Sequence, residues 1–136
     1  RGSSLLKSVR VKKTVVKKVL VVDDSITTRT LERNILENAG YSVFQAADGL
    51  EGWEKMQEQS FDAVVFDIEM PRMNGFQLTE KVRQDKRFDH LPVVLVTSLE
   101  SPEDKLKGME AGADVYITKG SFDQQELLET IERLIG

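Results

Sequence analysis

Apolar positions along this chain fall into two patterns that take turns. Continuous runs occur at Val19-Leu20-Val21-Val22, Ala63-Val64-Val65-Phe66, Val93-Val94-Leu95-Val96 and Val115-Tyr116-Ile117-Thr118, and a more mixed one spans Tyr41 to Ala46. Short runs of this kind, bounded by turn residues and rich in β-branched side chains, predict strands buried on both faces. The segments between them repeat at helical spacing. The pattern predicts a helix from Ser25 to about Asn38, with Ile26, Leu31, Ile35, Leu36 and Ala39 as an imperfect apolar face and Gly40 at the C-terminal cap. A second helix runs from the Asp48-Gly49 turn to near Gln59 on Leu50, Trp53 and Met56, and a third runs from Gly75 to Gln84 on Phe76, Leu78 and Val82. A fourth extends from Pro102, suited to a first helical turn, to Ala111 before Gly112. A fifth takes Ser121 as N-cap and buries Leu127, Leu128, Ile131, Leu134 and Ile135. The segment Asp85 to Pro92, which holds the only histidine, His90, reads as a loop.

Five strand–helix repeats imply a doubly wound α/β fold: a five-stranded parallel sheet with helices on both faces, because each parallel return needs a right-handed crossover. In such sheets ligands bind beyond the carboxyl ends of the strands, where strand order reverses. Those ends carry chemistry here. Asp23 and Asp24 follow the first strand, Asp67 the third, Thr97 the fourth and Lys119 the fifth. Residues almost a hundred positions apart are thus expected to meet at one edge.

Charge and composition narrow the picture further. Residues 1–18 carry seven bases and no acid, leaving 12 bases against 23 acids in 19–136. Residues 1–18 are expected to be a basic linker or arm and 19–136 one domain. The arm has no aromatic residue to stack on a base and few apolar ones to enter a bilayer, so neither nucleic-acid binding nor membrane insertion is expected. The chain lacks cysteine, which excludes disulfides and thiolate metal sites. No apolar run approaches a membrane span and no signal peptide is evident, so a soluble, cytoplasmic protein is expected.

Three carboxylates brought together repel: a pair about 4 Å apart costs about 4 kcal/mol at an effective dielectric of 20. They raise one another's pKa or recruit a hard cation, and Mg2+ fits, since it takes one or two carboxylates plus a phosphate oxygen. Lys119 can pair with one phosphoryl oxygen and the Thr97 hydroxyl with another. Asp67, on the middle strand, is placed for in-line attack on phosphorus, giving an aspartyl phosphate; Asp23 and Asp24 hold the metal, with the Glu69 backbone carbonyl completing its shell.

These residues resemble the receiver domain of two-component response regulators, of the single-domain chemotaxis type, over about residues 18–136. The motifs are Asp23-Asp24, the loop from Asp67 through Met70-Pro71, Met73 and Gly75, then Thr97, the Gly112-Ala113 turn and Lys119. The resemblance implies a flavodoxin-like sheet of order 2-1-3-4-5 and a phosphoryl group donated to Asp67 by a phosphohistidine of a histidine kinase. It also implies movement of Thr97 and Tyr116 on phosphorylation. A downstream protein would bind the face of the fourth helix, fifth strand and fifth helix, which the charge change beside Thr97 and Lys119 would repack. Catalysis would be limited to the chain's own phosphorylation and dephosphorylation. The chain departs from the family at Lys119-Gly120, where receivers usually have proline. Lys119 to Phe122 and the basic lead-in resemble receivers at the C-terminus of hybrid chemotaxis-type histidine kinases. Two other readings stand beside this one. A haloacid-dehalogenase-like phosphatase uses the same residue types in a different chain order, and a pseudo-receiver would bind a partner without phosphorylation.

Overall fold

The computed structural model describes residues 15–121 and 123–136, within which the expected alternation is realised. The elements are β1 (Lys18–Val22), α1 (Ile26–Asn38), β2 (Ser42–Ala46), α2 (Gly49–Glu58), β3 (Ala63–Phe66), α3 (Gly75–Gln84), β4 (Val93–Thr97), α4 (Pro102–Ala111), β5 (Val115–Thr118) and α5 (Gln124–Ile135). Every strand pair is parallel and the order is β2-β1-β3-β4-β5, as the resemblance implied. The chain steps outward from β1 to β2, then back past β1 to β3, so the order reverses between β1 and β3.

The continuous apolar runs are explained by burial on two sides. Leu20, Val22, Val64, Phe66 and Leu95 pack with Met56 of α2 and Phe76, Leu78 and Val82 of α3. The alternate residues Val19, Val21, Val65, Val94, Val96 and Ile117 pack with Ile35 and Leu36 of α1 and Leu127 and Ile131 of α5. Each such side chain contributes roughly 1.5–3 kcal/mol when fully buried, so neither face tolerates a polar residue without a partner.

Helix starts follow the chemistry of orphan N–H groups. Ser25 caps α1 through Thr28, Asp48 caps α2 through Glu51, and Asn74 and Gln77 form a reciprocal capping box on α3. Ser101 caps α4 ahead of Pro102, and Gly112 ends it with φ 116°, a conformation glycine adopts without penalty. Gly40 past α1 likewise has φ 99°.

Several expectations are corrected. Lys18, read as the end of the arm, is the first residue of β1, where its N–H donates to Asp62 Oδ2 at 2.7 Å; the arm reading of residues 1–14 lies outside the described residues. The N-cap of α5 is Asp123, whose side chain accepts from the Gln125 N–H, and not Ser121, because Lys119–Ser121 already forms a 3-10 turn. The loop Asp85 to Pro92 contains a 3-10 turn, Lys86–Phe88, capped by Asp85. On α1, Ile35 and Leu36 are buried, but Ile26 and Leu31 are 70 % and 38 % exposed and Ala39 is exposed. The fully buried neighbour is instead an acid, Glu32. Among the described residues no helix is long and apolar enough to cross a membrane.

Candidate active site

The site is built by two backbone hydrogen bonds that carry the sheet one residue past its strands. Val22 and Phe66 pair across β1 and β3. The next N–H of each strand is still engaged: Asp67 donates to the Val22 carbonyl at 2.8 Å, and Asp23 to the Ala46 carbonyl at 3.1 Å. Both aspartates are thereby fixed side by side at the point where strand order reverses. Their carboxylates are fixed in turn. Asp23 Oδ1 accepts from the Ser25 N–H and Asp67 Oδ1 from the Ile68 N–H, each at 2.8 Å. Arg29 donates to the Asp23 carbonyl at 2.6 Å and ties α1 to the same loop.

Asp23 and Asp67 are 1 % and 5 % exposed, whereas Asp24 is open to solvent. One carboxylate oxygen from each of the three lies within 4.8 Å of the others. Lys119 enters from β5: its Nζ donates to Asp23 Oδ2 at 3.0 Å and lies 3.7 Å from Asp67 Oδ2. Thr97, at the end of β4, is fully buried, and its Oγ1 accepts the Leu99 N–H at 3.3 Å. All five strand-end residues singled out in the sequence therefore lie on one edge, and the three acids and the lysine converge.

The electrostatics match that arrangement. Burial and then the neighbouring Asp23 charge push the Asp67 carboxyl up to about 6, with Lys119 and the Ile68 N–H pulling the other way. Burial works against the Lys119 ammonium, yet Asp23 and Asp67 outweigh it, and the pKa of Lys119 is raised. A cluster of three hard oxygen donors with one ammonium, in which the buried Asp67 charge is only half compensated, suits a small divalent cation. The fit rests on the donor set: carboxylates from two adjacent strand ends, with one of the three acids open to solvent.

The loop after Asp67 is clamped. Gly75 N–H donates to the Ile68 carbonyl at 2.9 Å, and a Cβ at Gly75 would collide with the Asp67 carbonyl oxygen, so only glycine lets α3 start this close to the site. Arg72 has φ 68°, a left-handed conformation that costs a non-glycine residue about 1 kcal/mol or more. Its guanidinium is held by Asp48 Oδ2 at 2.8 Å, and a Cβ at Gly49 would collide with the Met73 carbonyl. The hydrogen bond to Arg72 holds the Asp48 carboxyl below its usual range.

Glu69 and Tyr116 lie at the rim. The Glu69 side chain is exposed and accepts from Ser98 Oγ at 3.0 Å. The half-buried Tyr116 donates its hydroxyl to the Leu99 carbonyl at 2.8 Å, and burial, then Asp104, push its pKa up to about 12. It thus spans from β5 to the segment that follows Thr97.

Glu32 was not recognised from sequence. It is 1 % exposed, its Oε2 has no hydrogen-bond partner among the described residues, and with Thr28, Val96 and Lys119 it lines a cavity of about 160 Å³. Burial and then Asp23 raise its carboxyl to about 8, against the pull of Lys119. A hollow of about 710 Å³ lies at the opposite edge of the sheet among the residues before β3 and β4, and includes His90 but none of the strand-end set.

Comparison with known proteins agrees with the geometry. The family model for the response regulator receiver domain matches residues 19–132. Chemotaxis protein CheY1 of Helicobacter pylori is 39 % identical over 88 % of this chain and 97 % of its own length. The gliding motility regulatory protein of Myxococcus xanthus is 38 % identical over 86 % of this chain, which spans only 15 % of that protein. Among solved structures, the receiver domain of the sensor histidine kinase PA1611 of Pseudomonas aeruginosa superposes with a TM-score of 0.82 at 26 % identity, covering 90 % of this chain and 99 % of that one, and holds a magnesium ion in its active-site cleft. A family model covering nearly all of the described sheet and helices, and a relative matched over almost its whole length, agree with the strand order and the strand-end acids: this chain belongs to the response regulator receiver domain family.

Proposed function

We propose that the chain is a phosphoacceptor switch that takes a phosphoryl group from a phosphohistidine of a histidine kinase onto Asp67. The observation that carries this reading is the meeting of a buried, charge-frustrated Asp67 with Lys119 and the Asp23–Asp24 pair at the reversal of strand order. Asp67 holds one oxygen against the Ile68 N–H, which orients the other for in-line attack. The new bond forms from that oxygen to phosphorus while the bond from phosphorus to the donor nitrogen breaks. Lys119, 3.7 Å from Asp67 Oδ2, needs only a small shift to pair with a phosphoryl oxygen. The Thr97 hydroxyl, which now accepts from Leu99, has its own proton free to donate to another. A magnesium ion held by Asp23, Asp24, Asp67 and the Glu69 carbonyl would supply the positive charge that lets a carboxylate approach a phosphate. The solved receiver domain with magnesium in its cleft supports that choice of ion.

The added charge would draw Thr97 and Lys119 inward, and Tyr116, bonded to the Leu99 carbonyl two residues beyond Thr97, would report that movement to α4. The face of α4, β5 and α5 is then the output surface for a downstream protein; α4 carries two exposed apolar side chains, Leu106 at 59 % and Met109 at 45 %. Sensor histidine kinase CheAY of Helicobacter pylori, 37 % identical over 86 % of this chain, which spans 15 % of that protein, and the kinase origin of the solved receiver domain support the reading of the parent protein as a hybrid kinase.

Intact mass after incubation with acetyl phosphate and Mg2+ tests the assignment. One added phosphoryl group is expected, and none in Asp67→Asn. A gain that survives in that variant sinks the assignment of Asp67, and sustained hydrolysis of small phosphate esters would restore the phosphatase reading.

A further inference from the structure

A groove of about 440 Å³ opens beside the strand-end acids, lined in part by Asp24, Glu69, Met70, Phe76, Leu99 and Lys107. Its inner end adjoins the site, since an oxygen of Asp24 lies within 4.8 Å of one on Asp67. Its wall is mixed: Phe76 is a buried core residue and Met70 and Leu99 are half-buried against the same cluster, while Asp24, Glu69, Asn74 and Lys107 supply polar groups. Across it stands α4, from which the Lys107 ammonium lies 4.7 Å from the centre of the Phe76 ring. A cation–π contact to a ring fixed in the core holds this otherwise exposed lysine over the groove. The acid nearest to it in sequence to Asp67, Glu69, is engaged by Ser98. A groove that adjoins the strand-end acids, with one apolar side formed by Met70, Phe76 and Leu99 and a cation positioned over it, suits a small group that is apolar on one side and anionic on the other.

We propose that this groove seats the leaving group of small phosphodonors, and that Lys107 is a specificity-determining residue favouring donors whose leaving group is a carboxylate. The proposal rests on Asp67 being the phosphoacceptor. With an acyl phosphate, the oxygen–phosphorus bond to Asp67 forms as the bond from phosphorus to the acyl oxygen breaks. The electron pair stays on that oxygen, so a carboxylate departs and no proton is needed. Phosphoramidate reacts with its nitrogen already protonated, so when the phosphorus–nitrogen bond breaks the pair stays on nitrogen and neutral ammonia departs with no further proton. Negative charge thus develops on the leaving group only in the first case, and only there does the Lys107 ammonium lower the barrier.

Phosphorylation rates of the unchanged chain, Lys107→Gln and Lys107→Arg, followed by intact mass with each donor in saturating Mg2+, test this. Lys107→Gln is expected to lower the ratio of kcat/KM for acetyl phosphate to that for phosphoramidate roughly three- to fivefold, the size of one partly screened charge. Lys107→Arg, which keeps both charge and ring contact, should restore the ratio. An unchanged ratio in Lys107→Gln overturns the proposal. So does a parallel loss of affinity for beryllofluoride, which has no leaving group and would reveal a general field effect. If the unchanged chain takes a phosphoryl group from neither donor, the phosphoacceptor reading falls first, and this one with it.

Discussion

Replacing Glu32 by glutamine should make the protein more stable, by an amount that grows with pH. Glu32 is buried to 1 % exposure with Oε2 unpartnered among the described residues, and its pKa is raised from 4.5 to about 8. The unfolded chain releases this proton from about pH 4.5 upward, whereas the folded protein keeps it until about pH 8. The unfolded state therefore binds fewer protons across that window, and the folded state loses ground as pH rises through it. At about 1.4 kcal/mol for each pH unit, the loss reaches about 3 kcal/mol at pH 7 and about 5 kcal/mol above pH 8. Glutamine has no proton to lose, so the difference in stability between Glu32→Gln and the unchanged chain should grow by that amount from about pH 4.5 to about pH 8.5. Urea unfolding in the presence of a chelator, followed by the fluorescence of the half-buried Trp53, measures it. Taking the difference between the two chains removes the common titration of Asp67. A difference that stays constant within about 0.5 kcal/mol over this range would refute the reasoning, and would mean that a water or a shift of Lys119 satisfies the acid.

Gly75→Ala drives a methyl group into the Asp67 carbonyl and should cost about 1–3 kcal/mol in unfolding free energy while slowing phosphorylation; an unaltered melt would show that α3 can back away freely. Because burial and Asp23 raise Asp67 to about 6, its carboxylate is lost as pH falls through that value, and Mg2+ affinity by titration should weaken about tenfold between pH 8 and pH 5; a flat profile would remove Asp67 from the metal site. Tyr116→Phe deletes the hydrogen bond to the Leu99 carbonyl and should cost about 1 kcal/mol by urea titration. In the unchanged chain, amide resonances of Tyr116 and α4 should shift when beryllofluoride is added with Mg2+, and identical spectra would rule out a switch through this tyrosine.

The parts of this architecture legible in the sequence are those set by local pattern. Strands such as Ala63–Phe66 announce themselves because burial on both faces leaves no polar position, and parallel pairing then forces Asp23, Asp67, Thr97 and Lys119 to one edge. Glu32 was illegible for the opposite reason. An acid amid Arg29, Arg33 and Asn34 on a helix reads as part of a solvated face, and only the packing of α1 against the sheet reveals that Glu32 lies beneath Lys119. The same packing leaves Ile26 and Leu31 outside, although their spacing marks them as core. The cap of α5 was misplaced because Ser121 and Asp123 are both good N-caps, and the choice depends on the turn that Lys119 makes to reach Asp23. The Asp48–Arg72 clamp joins residues 24 positions apart and leaves no local trace beyond a charged residue where a left-handed turn would favour glycine.

The bond from Lys119 to Asp23 spans 96 positions of sequence. During synthesis the acids of β1 and β3 leave the ribosome long before the residue that neutralises them. A nascent chain released at Thr97 would hold most of the sheet but would present Asp23 and Asp67 with no counter-charge, a repulsion that opposes docking of β1 against β3. β5 is an edge strand and contributes little to the sheet's centre, yet the residue that follows it, Lys119, offsets that repulsion. The charge balance at the strand ends is therefore completed only when the segment beyond β5 has docked, which makes it one of the longest-range contacts the chain has to close.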